Sequence, residues 1–293
     1  MISIKRKTLG DVIMDVIVYI LLTVLAIVMV IPFIYVIAAS FADETYMAKT
    51  PMFLFPAQTS FNAYITMFSG KVGEQVIRSL IISVCITLVG TLVNLFFTTT
   101  MAYGLSRSNL IGKKAILNLV LFTMVFGGGM IPTFLLVRSL GMYNSYAALI
   151  IPGAISAYNM LIIRNFFMDL PAGLEEAASI DGCTDIGIFV KIALPLSLPA
   201  LATFGLFYAV GHWNGYMTAL LYLTDSKKYP FQLVLKNLIS QTGLAETTAG
   251  DQDPPEETLK MAIIVVGTVP ILCVYPFLQK HFAAGVMVGA IKG

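Results

Sequence analysis

Charged residues are scarce in this chain: Asp, Glu, Lys and Arg make up 12% of its 293 residues, whereas hydrophobic residues make up 58%. Ordinary soluble domains carry about 25% charged residues. The scarcity therefore excludes a typical soluble domain and indicates an integral membrane protein. The formal net charge is only +2, and no basic patch is interleaved with aromatic residues, so nothing in the chain predicts nucleic-acid binding.

Metal-binding and catalytic patterns are also missing. The three cysteines, Cys85, Cys183 and Cys273, form no CxxC pair, and with two histidines they provide no zinc set, so we interpret them as packing residues. The sequence contains no GxxxxGK[ST], HExxH or GxSxG motif. It therefore lacks the P-loop that cradles ATP and the signatures of a zinc protease or serine hydrolase.

What the chain does contain is a series of long runs free of Asp, Glu, Lys and Arg. About 20 apolar residues suffice to cross the ~30 Å hydrocarbon core of a bilayer. Six runs are long enough, and they lie at 16–42, 79–106, 115–137, 139–163, 192–224 and 261–279. These runs show none of the alternation of a barrel strand, so they predict an all-α polytopic membrane protein with six transmembrane helices. The fifth span is placed at 199–222, and residues 1–293 are predicted to form a single transmembrane domain.

Basic residues near the start predict the orientation. Lys5, Arg6 and Lys7 precede the first run and favour a cytoplasmic N-terminus, and six crossings then place the C-terminus in the cytoplasm as well. A cleaved signal peptide is the alternative. However, the first run is far longer than the roughly 7–15 apolar residues of a signal-peptide core, which favours an uncleaved first span.

This topology assigns the segments between the runs. Residues 43–77 and 223–258 lie outside, and residues 166–198 form a cytoplasmic loop. Within the first outer segment, residues 61–68 could form a short surface helix or a packed loop, of which we favour the loop. In the second, an apolar face at helical spacing predicts a helix, and its members are Phe231, Val234, Leu235 and Leu238.

The loop 166–198 is unusually acidic for a chain of this kind. Residues 169–191 hold five carboxylates and a single lysine, Lys191. A loop lying on lipid headgroups would be rich in Lys and Arg instead. The acidic composition therefore favours a protein partner over the membrane surface.

The same loop has a pattern of two short helices. Pro171 suits a helix start, and acids in the first turns favour the helix dipole. Gly182 suits a left-handed helix end, and Asp185 is predicted to cap a second helix. Pro195 and Pro199 would then redirect the chain into the next span.

The spacing within this loop resembles a known family signature. Glu176-Ala177-Ala178, three residues, Gly182, nine residues and then Ile192-x-Leu194-Pro195 match the EAA signature of bacterial ABC importer permeases. We call residues 166–198 the EAA loop. The stretches "LPAGLEEAASIDG" and "YPFLQKHFAAGVMVGAIKG" are similar to the carbohydrate branch of binding-protein-dependent type I ABC importers, as in the smaller permease subunit of maltose importers.

The resemblance implies a specific assembly in the bacterial plasma (inner) membrane. It consists of this permease, a second homologous permease subunit, two ATPase subunits that hold ATP and Mg, and an extracellular solute-binding protein. The EAA loop would carry the coupling helix that docks on the ATPase. The residues that the resemblance assigns to this coupling are Glu175, Glu176, Ala177, Ala178, Asp181, Gly182, Ile192, Leu194 and Pro195. Glu176 is predicted to face the ATPase, whereas Asp181, and Asp185 outside this set, would only cap and orient the turn.

Polar and aromatic residues within the spans are candidates for the substrate path, because sugars offer hydroxyl groups to amides and CH faces to aromatic rings. The candidates are Asn94, Tyr158, Asn159, Tyr208, His212, Trp213, Asn214 and Tyr216. The simpler interpretation is that Tyr and Trp mark the membrane interface, and that Asn and His bond to neighbouring helices.

Two other classes of membrane protein compete with the ABC permease. A secondary transporter usually carries ionisable residues inside its spans, whereas these six runs contain no Asp, Glu, Lys or Arg and His212 is their only histidine. An intramembrane enzyme would need a nucleophile with its base or a metal set, and neither is present. Within the ABC family, a permease for a solute other than a sugar is the remaining alternative.

Overall fold

The computed structural model describes residues 9–50, 54–244 and 257–290. Regular structure in these residues is helical, apart from one isolated bridge between Ala42 and Thr59. The helices are α1 (Leu9–Ser40), α2 (Glu44–Lys49), α3 (Asn62–Met67), α4 (Gly70–Ser106), α5 (Lys113–Val125), α6 (Met130–Ser139), α7 (Ala147–Ile150), α8 (Ala157–Met168), α9 (Ala172–Ile180), α10 (Asp185–Ile188), α11 (Leu194–Leu196), α12 (Leu198–Trp213), α13 (Tyr216–Tyr222), α14 (Phe231–Leu244) and α15 (Glu257–Ala290). Short 3-10 turns lie at Ile151–Gly153 and Ser226–Lys228, and a π-helical turn at Phe189–Ala193.

The apolar runs are helical, as predicted, but three of them are bent. Bends of 119°, 52° and 81° separate α5 from α6, α7 from α8, and the α10–α11 segment from α12. Among the described residues, α1 and α4 are long and apolar enough to span a membrane, and the bent pairs raise that count to at most five. The predicted total of six is therefore not confirmed. The sixth predicted run, 261–279, lies within α15.

Glycine and proline explain where the bends fall. The run 115–137 is interrupted at the three glycines 127–129, where Gly129 has φ +82° and ψ 173°, a conformation open to glycine alone. Pro152 is the second residue of the 3-10 turn between α7 and α8, and Ser197 lies between Pro195 and Pro199 at the 81° bend. Each of the runs 115–137 and 139–163 therefore contains parts of two helices that meet at an angle.

The described parts of the chain form two compact units, one from Met1–Gly73 with Leu238–Gly267 and one from Glu74–Asn237 with Thr268–Gly293. In the first unit, α1 exposes most of its apolar side chains, as expected of a surface that faces lipid. Asp43 caps α2 by accepting from Thr45 N at 3.0 Å. Residues 62–67 form α3 with Ala63 and Met67 buried, so the loop favoured for 61–68 is wrong.

The second unit has its main core where α4, α5, α8 and α12 meet. The buried residues of this core are Ala102, Tyr103, Leu105, Val120, Met160, Ile163, Phe167, Ala193 and Phe204. Ala193 belongs to the π-helical turn of the EAA loop. The second half of the EAA loop thus packs directly against α4 and α8 in this core.

A second set of contacts holds the start of α14. Asn144, with φ +57°, accepts from Thr224 N and Asp225 N at 3.2 Å through its side chain, and Ser83 Oγ accepts from Phe231 N at 2.7 Å. The helix predicted here is confirmed. Phe231, Val234 and Leu238 are buried as expected, Leu235 is only half-buried, and the buried Leu233 was not anticipated. The rest of the 223–258 segment, from 245 to 256, lies outside the described residues.

Candidate functional site

The EAA loop has the predicted helix, turn and helix. Pro171 precedes α9, Gly182 adopts φ +81°, and α10 follows. The cap of α10 is Thr184 rather than Asp185: Thr184 has extended dihedrals, and its Oγ1 accepts from Gly187 N at 3.2 Å. Asp185 instead occupies the first helical position, where its negative charge interacts favourably with the helix dipole, but it does not cap the helix.

The first half of the loop presents a mixed surface. Glu176, Ala177 and Asp181 are exposed, whereas Ala178 is buried. Two large apolar side chains flank the turn at Gly182, with Ile180 86% and Ile186 76% exposed. Exposed apolar side chains beside carboxylates are typical of a surface that another protein covers.

The second half of the loop packs inward. Ile192 and Leu194 are half-buried, Pro195 is exposed, and Ala193 between them is fully buried in the core. Sequence reasoning passed over Ala193 because it stands at the unspecified position of the signature. Its small side chain lets the π-helical turn approach α4 and α8 closely.

Glu175 does not join Glu176 on the exposed surface. Its Oε2 accepts from Arg107 Nη1 and forms an ion pair. The Arg107 guanidinium also lies 4.4 Å from the ring centroid of Tyr103 in α4. A cavity of about 840 Å³ lies beside this ion pair and is lined by both the 106–110 turn and the EAA loop. Sequence reasoning grouped Glu175 with the docking residues and did not single out Arg107.

A second polar site lies between α4 and α12. Asn94 is 1% exposed, and its Nδ2 donates to Gly153 O at 2.6 Å. Its Oδ1 lies 2.6 Å from His212 Nε2. Asn94 therefore links α4 to α12 and to the 3-10 turn that precedes α8.

Tyr208 forms a parallel link one turn away. Its hydroxyl lies 2.8 Å from Thr98 Oγ1 and accepts from Ser156 N at 3.3 Å. Asn94, Tyr208 and His212 line one cavity of about 230 Å³. We call these three residues, with Thr98, the polar cluster.

The other predicted path residues are placed apart from this cavity. Trp213 is buried and lines a separate apolar cavity of about 170 Å³, while Tyr158 is 61% exposed. Asn159 is buried in the first turn of α8, where its backbone N–H donates to Ser156 Oγ at 3.4 Å. Asn214 and Tyr216 flank the short break between α12 and α13.

Gly90 and Thr98 belong to this site but were not predicted, although the sequence contains a signal for them. Gly90, Asn94 and Thr98 recur every four residues and so share one face of α4. A Cβ at Gly90 would lie 2.5 Å from His212 Nε2, so the missing side chain makes room for the imidazole. A stripe of small and polar residues on an otherwise apolar helix therefore marks where α4 meets α12.

Replacing Tyr208 by Phe is expected to lower the stability of the purified chain, because the ring stays in place while Thr98 and Ser156 lose their shared partner. The loss should be about 0.5–1.5 kcal/mol, the usual net contribution of a hydrogen bond. Thermal unfolding in detergent would measure it. Tyr158→Phe is the matched control and should leave the unfolding temperature unchanged, and equal effects of the two variants would contradict the assigned contacts.

The comparison with protein families decides the identity. Residues 95–288 match the family described as "Binding-protein-dependent transport system inner membrane component". The matched residues include Thr98 of the polar cluster, the whole EAA loop and most of α15.

The chain belongs to this family of transport permeases.

Relatives of this permease cover nearly its whole length. It is 51% identical over 284 residues to the polygalacturonan/rhamnogalacturonan transport system permease protein YtcP of Bacillus subtilis (strain 168), covering 95% of this chain and 98% of that protein. It is 52% identical over 270 residues to protein LplC of the same organism, covering 90% of each. The predicted identification as an ABC importer permease is confirmed.

Solved structures agree with the fold of this permease. It covers 99% of one chain in a crystal structure of a bacterial ABC transporter involved in the import of the acidic polysaccharide alginate, with a TM-score of 0.85 and 32% identity over 95% of this chain. A bacterial alginate ABC transporter in complex with an alginate pentasaccharide-bound periplasmic protein matches with a TM-score of 0.59 and 15% identity. The predicted all-α importer permease fold is thereby confirmed.

Proposed function

We propose that this chain is one of two permease subunits of an ATP-driven importer for acidic oligosaccharides of the pectin type. The observation that carries the proposal is the 51% identity to a polygalacturonan/rhamnogalacturonan permease along nearly its full length. The fold shared with an importer of acidic alginate supports the same class of substrate.

The partners follow from this assignment. A second homologous permease completes the translocation path, two ATPase subunits bind ATP and Mg, and an extracellular solute-binding protein delivers the sugar. In this arrangement the N- and C-termini and the EAA loop are cytoplasmic. The chain itself binds no cofactor and catalyses no reaction.

The EAA loop transmits the ATPase movement. Its exposed surface around Gly182 combines Glu176 and Asp181 with the apolar side chains of Ile180 and Ile186. The apolar pair is expected to enter a groove on the ATPase, and the Glu176 carboxylate to meet basic residues at its rim.

The polar cluster is the part of this chain that is suited to contact sugar hydroxyls. Asn94, Tyr208 and His212 line a cavity of about 230 Å³ and offer hydrogen-bonding groups without a formal basic residue. Because these groups already bond to one another, the chain is expected to guide a sugar weakly, and the binding protein is expected to select it.

Uptake by the complete transporter tests the proposal. The permease pair, the ATPases and the binding protein are reconstituted together and offered a galacturonate trimer or a neutral arabinose trimer. ATP-dependent uptake of the galacturonate trimer is expected, with none when this chain is omitted. Uptake of only the neutral sugar would overturn the acidic specificity, and uptake driven by an ion gradient without ATP would favour a secondary transporter.

A neutral oligosaccharide is the second candidate substrate. The chain is 29% identical over 275 residues to an arabinooligosaccharides transport system permease protein AraQ of Halalkalibacterium halodurans. This identity is well below that to the polygalacturonan/rhamnogalacturonan permease, so the acidic substrate is preferred.

A further inference from the structure

Arg107 contacts three helices at one end of α4. It follows Ser106, the last residue of α4, and its guanidinium forms the ion pair with Glu175 of α9. Its Nη2 also donates to Phe167 O at the end of α8, at 3.4 Å. Both partners of the ion pair are only about a quarter exposed, with 28% for Arg107 and 24% for Glu175. The first half of the EAA loop is therefore fastened to α4 and α8 through one side chain.

Tyr103 contacts the second half of the EAA loop through its aromatic ring. It lies in the last turn of α4, one turn before Arg107, and its ring contacts Phe189 of the π-helical turn with centroids 4.7 Å apart and ring planes tilted by 37°. Phe167 packs edge-on against the same ring at 5.5 Å. Because Arg107 lies over the Tyr103 ring, the two residues form one continuous contact surface for both halves of the EAA loop.

Two further cations secure this end of α4. Lys113 Nζ donates to Arg107 O at 2.9 Å and to Ser106 O at 3.3 Å, and Arg164 Nε donates to Leu105 O at 2.9 Å. The last carbonyls of a helix lack intrahelical donors and carry partial negative charge, so cations stabilise them. The end of α4 is thus bonded to Lys113 at the start of α5 and to Arg164 within α8.

The same helix reaches the polar cluster without a break. α4 is continuous from Gly70 to Ser106, and Asn94 lies about 20 Å from Arg107 at 1.5 Å per residue. A displacement applied at Arg107 therefore moves the helix that carries Asn94 and Thr98.

We infer that Arg107 and Tyr103 are positioning residues that transmit the movement of the EAA loop to α4, with Glu175 as the ionic partner of Arg107. Glu175 is in this arrangement an internal anchor, and the ATPase meets the exposed Glu176 next to it. The inference rests on the proposed function, because it requires an ATPase that moves the EAA loop.

The experiment uses the complete reconstituted transporter with Arg107→Met and Glu175→Gln. Each variant removes the ion pair and retains a side chain of similar length. We expect the number of sugars imported per ATP hydrolysed to fall at least fivefold, while the ATPases still co-purify and hydrolyse ATP within twofold of the wild-type rate. A merely structural defect would lower import and hydrolysis together.

Glu74→Gln is the matched control, because Glu74 forms an exposed ion pair with Arg78 at the other end of α4. Its ratio of import to hydrolysis should equal that of the wild type. The double variant Arg107→Glu with Glu175→Arg should import more per ATP than either single charge reversal. Wild-type coupling in both Arg107→Met and Glu175→Gln overturns the inference.

Amide hydrogen exchange separates this inference from the proposed function. In the purified complex without ATP, Arg107→Met should speed amide exchange in residues 172–180 at least fivefold relative to the wild type. Exchange of the same residues in the control variant Glu74→Gln should equal that of the wild type. If the wild-type complex imports no sugar, the proposed function fails, whereas faster exchange in Arg107→Met still supports the anchoring. Unchanged exchange in residues 172–180 overturns it, whether or not sugar is imported.

Discussion

Replacing Gly182 by Val is expected to abolish uptake while leaving the protein in the membrane. Gly182 adopts φ +81°, and no atom lies within 4 Å of the position that a Cβ would take. The penalty is therefore backbone strain rather than a clash, about 1–2 kcal/mol for a left-handed residue and more for a β-branched one. Relief of that strain would change the angle between α9 and α10, and with it the surface formed by Ile180 and Ile186.

Gly141→Val is the matched control for this prediction. Gly141 adopts φ +73° with equally open surroundings, but it lies in the turn between α6 and α7. The backbone strain should be similar, so this variant should retain uptake and ATPase association. Initial uptake rates and co-purification of the ATPase measure both variants. Normal uptake by Gly182→Val would contradict the coupling role of the turn.

Glu176→Lys tests the same surface without straining the backbone. Glu176 is exposed on α9, so reversing its charge should leave the fold intact. A lysine there would repel a basic site on the ATPase, and uptake and ATPase association should both fall. Full uptake in this variant would exclude Glu176 from the docking surface.

Replacing Gly90 by Ala should destabilise the chain, whereas the same change at Gly104 of the same helix should not. A Cβ at Gly90 would lie within 2.7 Å of three atoms of the His212 ring, whereas nothing lies within 4 Å at Gly104. His212 can move away only by breaking its contact with the buried Asn94. Overpacking and a lost buried hydrogen bond cost about 1–3 kcal/mol each.

The changes in stability expected for Gly90→Ala and Gly104→Ala have opposite signs, so the two variants are readily distinguished. Ala at Gly104 should stabilise the helix by about 0.5–1 kcal/mol, because it reduces the entropy of the unfolded chain. Thermal unfolding of the purified permease measures both changes. An equal shift for the two variants would mean that α4 and α12 do not approach as closely at Gly90 as described.

Local features of the EAA loop were largely predictable. The glycine turn at Gly182 and the bend between Pro195 and Pro199 follow from backbone preferences that act within a few residues. The cap of α10 was assigned one position too late, because Thr184 and Asp185 both suit a cap and the actual helix start decides between them.

The bends within the apolar runs were only partly predictable. Three glycines at 127–129 favour a break, but composition alone does not say that the chain turns by 119° there. Charge-free length marks a region that is compatible with lipid, and it does not distinguish one straight helix from two bent halves. Hence the count of six helices exceeds what the described residues confirm.

The sequence by itself determined the membrane character of this protein, its helical class and the family signature, because composition, periodicity and spacing are carried by neighbouring residues. Only the tertiary structure decided that Glu175 meets Arg107, 68 residues away, and that His212 meets Asn94, 118 residues away. Which side of a helix a polar residue faces depends on the helix packed against it. Adjacent acids such as Glu175 and Glu176 can therefore take opposite roles, one as an internal anchor and one at the surface.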